Sequence, residues 1–357
     1  MARFTRACTN SPSSALLQLG KIYDRQNTKC MSQRLHHSNQ AIGHYVNRKI
    51  KKDREERAPL TLTEKVRWRI ENDRNPLFPH LLDKVAVRKF ATDRGVQVPE
   101  LLAVSRKPTK RMLRNLPSDY YLKASHGCGW NFRVKDGLGY RQLGDVLHEP
   151  SLCERPSSPR QIIQECKSWL KCDFSQFHGE WAYSKIPPRI FAEEILHQAG
   201  GGALVDYKCF AFDGEVALIY GIDEPTRWSN GGSEFRDRNW KRVNLTQCRD
   251  PWADPPLQRP EALDEILAAA KRLGKGLEFC RIDLYSTTKG VVFGEMTLYP
   301  QAGYDPITGC PDFDRWLGDL WTLPGQAVLA DETNVEKLRT NPQSFDRTSQ
   351  DPGLEDD

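Results

Sequence analysis

The fold of this 357-residue chain is decided by two short runs, FCRIDLY at residues 279–285 and VVFGEMTLYPQAGYDP at residues 291–306. Both runs alternate between apolar and polar residues, which is typical of β-strands with one buried face. Alternation places Asp283 on the polar face of the first strand, and Glu295 and Thr297 on the polar face of the second. A hairpin between the two runs would therefore bring two carboxylates together.

The paired carboxylates predict a magnesium site with Asp283 and Glu295 as ligands. Magnesium prefers oxygen ligands and usually takes one or two carboxylates together with substrate phosphates. Glu295 stands between Gly294 and Met296 in an apolar strand, where a carboxylate without a partner is costly. Arg281 would lie beside the metal. By spacing alone, a half-buried sheet with solvent-facing charges is an equally good interpretation.

A phosphate-binding loop is predicted further upstream. Residues 120–125 (YYLKAS) read as a strand that runs into the glycine-bearing loop His126-Gly127-Cys128-Gly129. Lys123 could reach phosphate groups there while backbone N–H groups surround them. The loop lacks the P-loop pattern, and a glycine-rich turn near a lysine is usually just a turn. Only the downstream carboxylates strengthen the phosphate interpretation.

Other local patterns indicate a mixed α and β chain. They predict a helix after a capping box at Thr61 and Glu64, one helix spanning residues 81–90, a strand over residues 190–196, a hairpin over 206–221 around Asp213-Gly214, a helix over 261–273, and an irregular substrate-side stretch over 148–188.

Six ordered blocks resemble the ATP-grasp enzymes, and among them the TupA-like group named for teichuronopeptide biosynthesis. The blocks are LTLTEKVRW (60–68), NDRNPLFPHLLDKVAVRKF (72–90), YYLKASHGCGWNFRVKD (120–136), EWAYSKIPPRIFAEEIL (180–196), DYKCFAFDGE (206–215), and the pair of runs at 279–306. The likeness extends from about residue 61 to about residue 308.

This resemblance implies the α+β ATP-grasp fold, with ATP held between two lobes and a glycine-rich lid over its phosphates. It assigns phosphate contacts to Lys84, Lys123 and Lys208. It assigns the lid to the segment Ser125, His126, Gly127, Gly129, Trp130 and Asn131. Adenine would meet the backbone of Glu193, Glu194, Ile195 and Leu196, and ribose would meet Asp206.

The resemblance also implies the chemistry. Mg²⁺ would be held by Asp283, Glu295 and Thr297, with Arg281 and Lys123 as the catalytic residues. Thr297 departs from the family, since many members carry Asn there, and this leaves the number of magnesium ions open. The acceptor pocket would be shaped by the aromatic and histidine side chains His126, Trp130, Trp181, Tyr183, Tyr299 and Tyr304, although packing is the better interpretation for at least half of these residues.

Similar enzymes transfer the γ-phosphoryl group of ATP to a carboxylate, and an amine then attacks the acylphosphate to form an amide. The resemblance therefore implies a carboxylate–amine ligase acting in polysaccharide, peptide-conjugate or specialised-metabolite synthesis. Two alternatives stay open, namely a phosphotransferase acting on a glycan or small molecule, and a non-catalytic nucleotide-binding protein of a glycan-assembly system. The identities of the acid and the amine do not follow from the sequence.

Composition narrows the classes of protein. Residues 1–60 hold 12 Lys/Arg against 4 Asp/Glu, a local charge of +8, which leaves −3 for the rest of a chain whose net charge is +5. This basic arm could contact anionic membranes or act as an organelle-targeting segment, but a solvated or disordered arm is the better interpretation. The acidic remainder argues against nucleic-acid binding.

Ten cysteines at irregular spacing, without a C-x-x-C pair, indicate reduced thiols and favour a cytoplasmic protein. No run is apolar for long enough to span a membrane. The predicted organisation is a basic arm (1–58), an N-terminal α/β lobe (59–118), a lid subdomain with the substrate-side insertion (119–196), a C-terminal lobe with the metal site (197–330), and an acidic disordered tail (331–357).

Overall fold

Two antiparallel sheets organise the part of the chain that the computed structural model describes, which is residues 58–142, 156–223, 233–243, 253, 255–304 and 313–324. The helices are α1 (Leu62–Asn72), α2 (Phe78–Leu82), α3 (Val87–Asp93), α4 (Lys110–Arg114), α5 (Pro159–Trp169), α6 (Ser175–His178), α7 (Leu263–Gly274) and α8 (Phe313–Asp319). Short 3₁₀ helices span Trp181–Lys185 and Pro300–Gly303. The architecture is α+β, as predicted.

The first sheet has five strands in the order β1-β5-β2-β3-β4. Their bounds are β1 (Leu101–Ser105), β2 (Asp119–Ala124), β3 (Asn131–Lys135), β4 (Leu138–Gln142) and β5 (Ile190–Glu193). The apolar face of this sheet packs on α5 and forms its own hydrophobic core. Strands β2 and β3 form a hairpin in which Lys123 lies opposite Asn131. This register places the glycine-bearing loop at the end of that hairpin.

The second sheet has six strands in the order β11-β10-β6-β7-β8-β9. Their bounds are β6 (Val205–Phe212), β7 (Glu215–Asp223), β8 (Ser233–Arg236), β9 (Arg242–Val243), β10 (Cys280–Thr287) and β11 (Gly290–Thr297). Helix α7 covers one face, because its apolar stripe, including Ile266 and Leu273, is fully buried. The two predicted hairpins, β6–β7 and β10–β11, are confirmed, with β10 lying next to β6.

The helix predicted over residues 81–90 is wrong in one respect, because the chain forms two helices with a turn between them. Helix α2 ends at Leu82 and α3 begins at Val87. The side chain of Asp83 accepts hydrogen bonds from the backbone N–H groups of Val85 (3.0 Å) and Ala86 (3.3 Å), which favours a turn over a continuous helix. The break leaves Lys84 on the turn.

The irregular stretch predicted over 148–188 is wrong for residues 159–169, which form α5. Ser158 caps this helix in a reciprocal capping box with Gln161, and Pro159 stands at the first helical position. Proline is favoured at that position because a backbone N–H group there has no hydrogen-bond partner within the helix, so nothing is lost when proline lacks it. The strand predicted over 190–196 ends earlier, at Glu193.

Other predictions have mixed outcomes. The capping box of Thr61 and Glu64 at the start of α1 is confirmed. Residues 1–57 of the predicted basic arm and the whole of the predicted acidic tail lie outside the described residues. No helix among the described residues combines the length and apolar character needed to cross a bilayer.

Candidate active site

The polar face of the β10–β11 hairpin matches the pattern predicted from alternation. Asp283 pairs across the hairpin with Glu295, and Arg281 pairs with Thr297. Asp283 retains only 1% exposure, whereas the side chain of Glu295 is partly open. Two carboxylates, an arginine and a hydroxyl therefore meet on one small area of the sheet.

A β-bulge at Gly294 shapes this area. Asp283 lies opposite Glu295, but the next residue, Leu284, lies opposite Phe293, so Gly294 is an extra residue in β11. A Cβ atom at Gly294 would lie 2.7 Å from the ring of Tyr285 and 3.1 Å from the carbonyl oxygen of Asp283. Glycine is thus required for this close packing beside the carboxylates.

Asp283 is held by two cations. Arg281 donates from Nε to Oδ1 and from Nη2 to Oδ2, each at 2.8 Å. Lys208, which lies opposite Asp283 in the register of β6 and β10, donates to Oδ2 at 2.5 Å and to Asp206 at 2.7 Å. These are charge-assisted bonds within a buried environment, so they fix the carboxylate in place.

Glu295 is held by Lys84, which reaches it from the turn between α2 and α3. Burial alone would lower the pKa of Lys84, but the Glu295 carboxylate, together with smaller effects of Cys128 and Asp283, outweighs burial and raises it. Burial likewise opposes ionisation of Glu295, and the charges of Lys84, Lys208 and Arg281 nevertheless hold the pKa of this carboxyl well below its usual range. Both groups are therefore charged at neutral pH.

Six side chains thus form one charged cluster, in which cations and carboxylates alternate: Lys84, Glu295, Arg281, Asp283, Lys208 and Asp206. Five of these residues come from the second sheet, and Lys84 comes from the helical turn. The predicted ribose contact, Asp206, lies at one end of this cluster and binds Lys208.

A second, smaller group lies on the first sheet. Lys123 Nζ donates to Glu193 Oε1 at 2.5 Å, and Arg88 Nη1 donates to Glu193 Oε2 at 3.1 Å. Burial lowers the pKa of Arg88, and Glu193 only partly offsets this effect. The backbone N–H of Lys84 donates to the carbonyl oxygen of Ser125 at 3.2 Å, so the turn that carries Lys84 is fastened to the end of β2.

Most of the glycine-bearing loop is buried. Ser125 and His126 are buried, and Gly127 faces the ring of Trp130, where a Cβ atom would meet ring carbons at 2.5–3.0 Å. His126 lies 3.0 Å from the carbonyl oxygen of Trp169, and burial lowers its pKa. Gly129 adopts a left-handed φ of +67° and leads to Asn131, the first residue of β3.

The predicted adenine segment connects the two sheets. After Glu193 ends β5, Glu194 donates its N–H to the carbonyl oxygen of Glu100 and accepts from the N–H of Glu100 at 2.8 Å. Its carboxylate also pairs with Lys289 of the second sheet. Ile195 and Leu196 follow in partly buried, irregular backbone. Segments of this kind leave backbone groups available for a ligand.

The oxygen donors of Asp283, Glu295 and Thr297 suit magnesium only if a further ligand completes its coordination. Among the described residues, no group of three or more His, Cys, Asp or Glu side chains could hold a metal ion. Asp283, Glu295 and the hydroxyl of Thr297 supply hard oxygen donors, and both carboxylates are already ion-paired. The site therefore fits magnesium that brings phosphate oxygens with it.

Sequence reasoning missed one charged residue of the second group, Arg88. Arg88 lies four positions after Lys84, and its pairing with Glu193 has no local signal because the two are 105 residues apart. Of the predicted pocket side chains, His126 packs on Trp130, and Trp130 and Tyr183 both pack on Phe174, whereas Tyr304 lies under the guanidinium of an arginine.

Comparison with known families gives one extensive match. The model described as TupA-like ATP-grasp matches residues 64–322, which is most of the chain and includes every predicted site residue. None of the curated proteins compared with the chain is significantly similar to it.

Several solved structures match part of the chain at low sequence identity. The ATP-grasp ligase PsnB with a phosphomimetic precursor variant, Mg and ADP is 13% identical, with 62% of this chain and 52% of that chain covered and a TM-score of 0.32. D-alanine–D-alanine ligase from Bacillus anthracis with ATP is 14% identical, with 61% and 54% covered and a TM-score of 0.32. N5-carboxyaminoimidazole ribonucleotide synthetase from Thermotoga maritima is 12% identical, with 61% and 41% covered and a TM-score of 0.30. The chain thus spans about half the length of these structures or less.

Proposed function

Because the chain belongs to the TupA-like ATP-grasp family, whose α+β fold it has, we propose that it is a magnesium- and ATP-dependent ligase that joins a carboxylate to an amine. In the proposed reaction the γ-phosphoryl group of ATP passes to the carboxylate and ADP leaves. The amine then displaces phosphate from the acylphosphate and an amide forms.

The charged cluster is the observation that supports this proposal best. Its three carboxylates and three cations neutralise one another while the cations stay close enough to exchange partners. Phosphoryl transfer needs little covalent help from the protein, and catalysis comes from positioning and from compensation of charge. A preorganised set of lysines and arginines beside two magnesium-type carboxylates suits that task.

In this proposal, Asp283 and Glu295 hold magnesium and Thr297 adds a hydroxyl, directly or through water. Bound magnesium would neutralise charge on the β- and γ-phosphates. Lys84, released from Glu295, would move to a phosphate oxygen, and Arg281 would remain beside the transferred group. The hydrogen bonds that Arg281 makes to Asp283 already fix the plane of its guanidinium.

The remaining contacts to the nucleotide follow the arrangement of the two sheets. We assign the phosphates to Lys123, Lys208 and the loop of Ser125 to Asn131, because this loop starts where β2 ends. The segment Glu193 to Leu196 would contact adenine through its backbone. Asp206 would contact ribose, which requires that it share or release Lys208.

The test uses hydroxylamine as a general amine and a panel of free amino acids, uronic acids and short peptides as acids. With Mg-ATP, the protein should release ADP and phosphate and form a hydroxamate with at least one acid. Formation of AMP and pyrophosphate would contradict the proposal. A stable phosphorylated product without any hydroxamate would instead identify a phosphotransferase.

Variants connect the activity to this site. Glu295→Gln and Lys123→Ala should each lower the rate of ADP release by about 100-fold or more, the scale expected when one preorganised electrostatic group is lost. Glu265→Gln and Lys167→Ala change the same residue types at exposed positions on α7 and α5 and serve as matched controls. If Glu295→Gln and Lys123→Ala both left turnover unchanged, the active site could not be the one proposed.

A further inference from the structure

The two glycines of the loop between β2 and β3 are required for different reasons. Gly129 adopts a left-handed φ of +67°, which residues other than glycine rarely adopt. Gly127 lies outside that region, but a Cβ atom there would lie 2.5 Å from Cε3 and 2.7 Å from Cζ3 of Trp130. Carbon atoms that are not bonded do not pack so closely. Position 127 therefore needs glycine because the indole ring of Trp130 lies directly on its backbone.

The indole ring of Trp130 also packs on three other aromatic rings. It meets His126 edge to face, with 5.3 Å between ring centroids, and it meets Phe174 at 5.5 Å and Phe177 at 6.5 Å in the same way. Edge-to-face pairs at these distances are favourable. Trp130 retains only 9% exposure. The ring thus holds the loop against the segment that contains α6 and offers little surface to a ligand.

The segment that receives Trp130 has a defined conformation of its own. Phe174 packs on Tyr183 of the 3₁₀ helix, with 4.8 Å between ring centroids. The backbone N–H of Ser175 donates to Asp173 Oδ1 at 3.0 Å, and the Ser175 hydroxyl donates to the same oxygen at 2.7 Å. Trp130 therefore packs on a supported surface.

The loop is also fastened at the point where it leaves β2. The N–H of Ser125 donates to the carbonyl oxygen of Arg189 at 2.9 Å, and the N–H of Ala124 donates to that of Trp130 at 2.9 Å, which closes the loop. Within the loop, all of which the structure describes, only Cys128 is exposed. The backbone of the loop is therefore held by Ser125 at one end and by Trp130 at the other.

We propose that Trp130 is a positioning residue, which sets the backbone of this loop in the conformation that receives the phosphates of ATP. The inference rests on the proposed function, in which Lys123 and the loop of Ser125 to Asn131 contact phosphate. Backbone N–H groups bind an anion when they converge on one point. Groups that are held in place before binding lose less conformational entropy when the ligand arrives. Trp130 acts through Gly127, and its ring does not contact the nucleotide.

Trp130 also belongs to the hydrophobic core of the first sheet, so loss of its ring lowers stability in any case. A stabilising role alone predicts that less protein folds, while the folded protein binds every ligand as before. A positioning role predicts a selective loss, in which ATP binds more weakly and adenosine, which lacks phosphates, binds as before. The ratio of the two affinities therefore separates the two roles.

The experiment measures the binding of Mg-ATP and of adenosine to the full chain by isothermal titration calorimetry, without an acid or an amine. The unmodified protein should bind ATP more tightly than adenosine. Gly127→Ala and Trp130→Val should each weaken ATP binding by about tenfold or more, because the loop is displaced, and should leave adenosine binding unchanged. Trp169→Phe is the matched control, since this ring packs on Phe132 in the same core, and it should leave the ratio unchanged.

A double variant tests the contact between Gly127 and Trp130. In Trp130→Val the added Cβ of Gly127→Ala no longer meets an indole ring, so the second change should cause no further loss of ATP affinity. Such a departure from additivity is expected of residues in contact. Trp130→Phe keeps a ring beside Gly127 and should recover most of the ATP affinity.

Several results would overturn the inference. They are an unchanged ATP affinity in Gly127→Ala, an equal loss of ATP and adenosine binding, additive losses in the double variant, and an unmodified protein that binds ATP no more tightly than adenosine. Should Trp130→Val fail to fold, Gly127→Ala and Trp130→Phe decide the question by the same ratio. Failure of the ligase proposal would appear separately, as absence of ADP release and hydroxamate from the unmodified protein.

Discussion

Lys84 and Glu295 form an ion pair with each other. In the proposed mechanism, however, Lys84 contacts a phosphate oxygen and Glu295 binds magnesium. We expect Lys84→Met to bind Mg²⁺ alone about tenfold more tightly, since Glu295 loses its competing ammonium. The same change should slow ADP release, because a phosphate contact is lost. Titration with Mn²⁺ followed by electron paramagnetic resonance measures the first effect, and a coupled ADP assay measures the second.

Opposite changes in these two quantities are the distinguishing result for Lys84. Glu295→Gln is the matched comparison, and it should weaken metal binding and turnover together. If Lys84→Met also weakened metal binding, the lysine would be a structural support for the site and not a competitor of the metal.

Glu180 gives a prediction about stability and pH. Its pKa is about 8 in the folded chain and about 4.3 in an unfolded chain, so the folded state binds more protons between these values. The free energy of unfolding should therefore fall as pH rises through this window. Urea unfolding of Glu180→Gln at several pH values should lack this component, whereas Glu261→Gln should retain it. If the free energy of unfolding of Glu180→Gln changed with pH in parallel with that of the unmodified protein, a raised pKa of Glu180 would be contradicted.

Residues that share one strand were predictable from the sequence, but residues that meet across the fold were not. Alternation placed Arg281, Asp283, Glu295 and Thr297 correctly on one face. The contact between Lys84 and Glu295 joins positions 211 residues apart and leaves no local pattern.

Among the secondary-structure elements, the β10–β11 hairpin depends on its bulge. Gly294→Ala would drive a Cβ into the ring of Tyr285 and toward the backbone of Asp283. We expect the free energy of unfolding to fall by about 1–3 kcal/mol, as for other overpacked sites, and ADP release to slow at least tenfold because Glu295 moves. Chemical denaturation and the ADP assay measure the two effects.

Gly137→Ala is the control for this change. Gly137 has a left-handed φ of +78° in the β3–β4 turn, and a Cβ there meets nothing within 4 Å. Backbone strain should cost about 1–2 kcal/mol without a loss of turnover. Equal losses of turnover in both variants would mean that stability alone, and not the bulge, governs activity.

The boundaries of helices and strands were predictable where a known capping or turn motif marks them. The capping box before α1 and the Asp-Gly turn between β6 and β7 are confirmed. Helix α5 was missed because no regular apolar pattern was seen over residues 148–188, although Ser158 and Pro159 suit the start of a helix. The turn at Asp83 was missed because the apolar spacing on both sides fits a continuous helix.

At the scale of the whole molecule, Arg69 joins distant parts of the described chain. This side chain of α1 is 1% exposed, donates to the carbonyl oxygen of Phe279 at 2.8 Å, and lies over the ring of Trp321, 4.0 Å from the centroid. Arg69→Met should lower the free energy of unfolding by about 1–3 kcal/mol, because buried carbonyl oxygens lose their donor. Turnover per folded molecule should be unchanged, since Arg69 is outside the charged cluster.

Arg272→Met is the comparison for Arg69. Arg272 also donates to backbone carbonyl oxygens, those of Arg94 and Gly95, but it lies on the surface. Its loss should change the unfolding midpoint in urea only slightly. A similar shift in both variants would show that burial of Arg69 is not what matters.

The α+β class and the order of the blocks were predictable for the whole molecule, because each block carries its own pattern. Helix α8 was not predicted. Its contribution comes from contacts with α1, such as Asp314 accepting from the N–H and hydroxyl of Thr63, which no window of sequence contains.

These contacts have a consequence for how the chain is made. Lys65 of α1 donates to the carbonyl oxygens of Gly318 and Trp321, which lie 253 and 256 positions later, and a Cβ at Gly318 would strike the backbone at Leu60. During synthesis, α1 emerges from the ribosome long before α8 does. The buried Lys65 of α1, the first described helix to be synthesised, therefore has no acceptors until α8, the last described helix, has been synthesised. Premature termination before residue 313 should thus expose the start of the domain as well as remove its end.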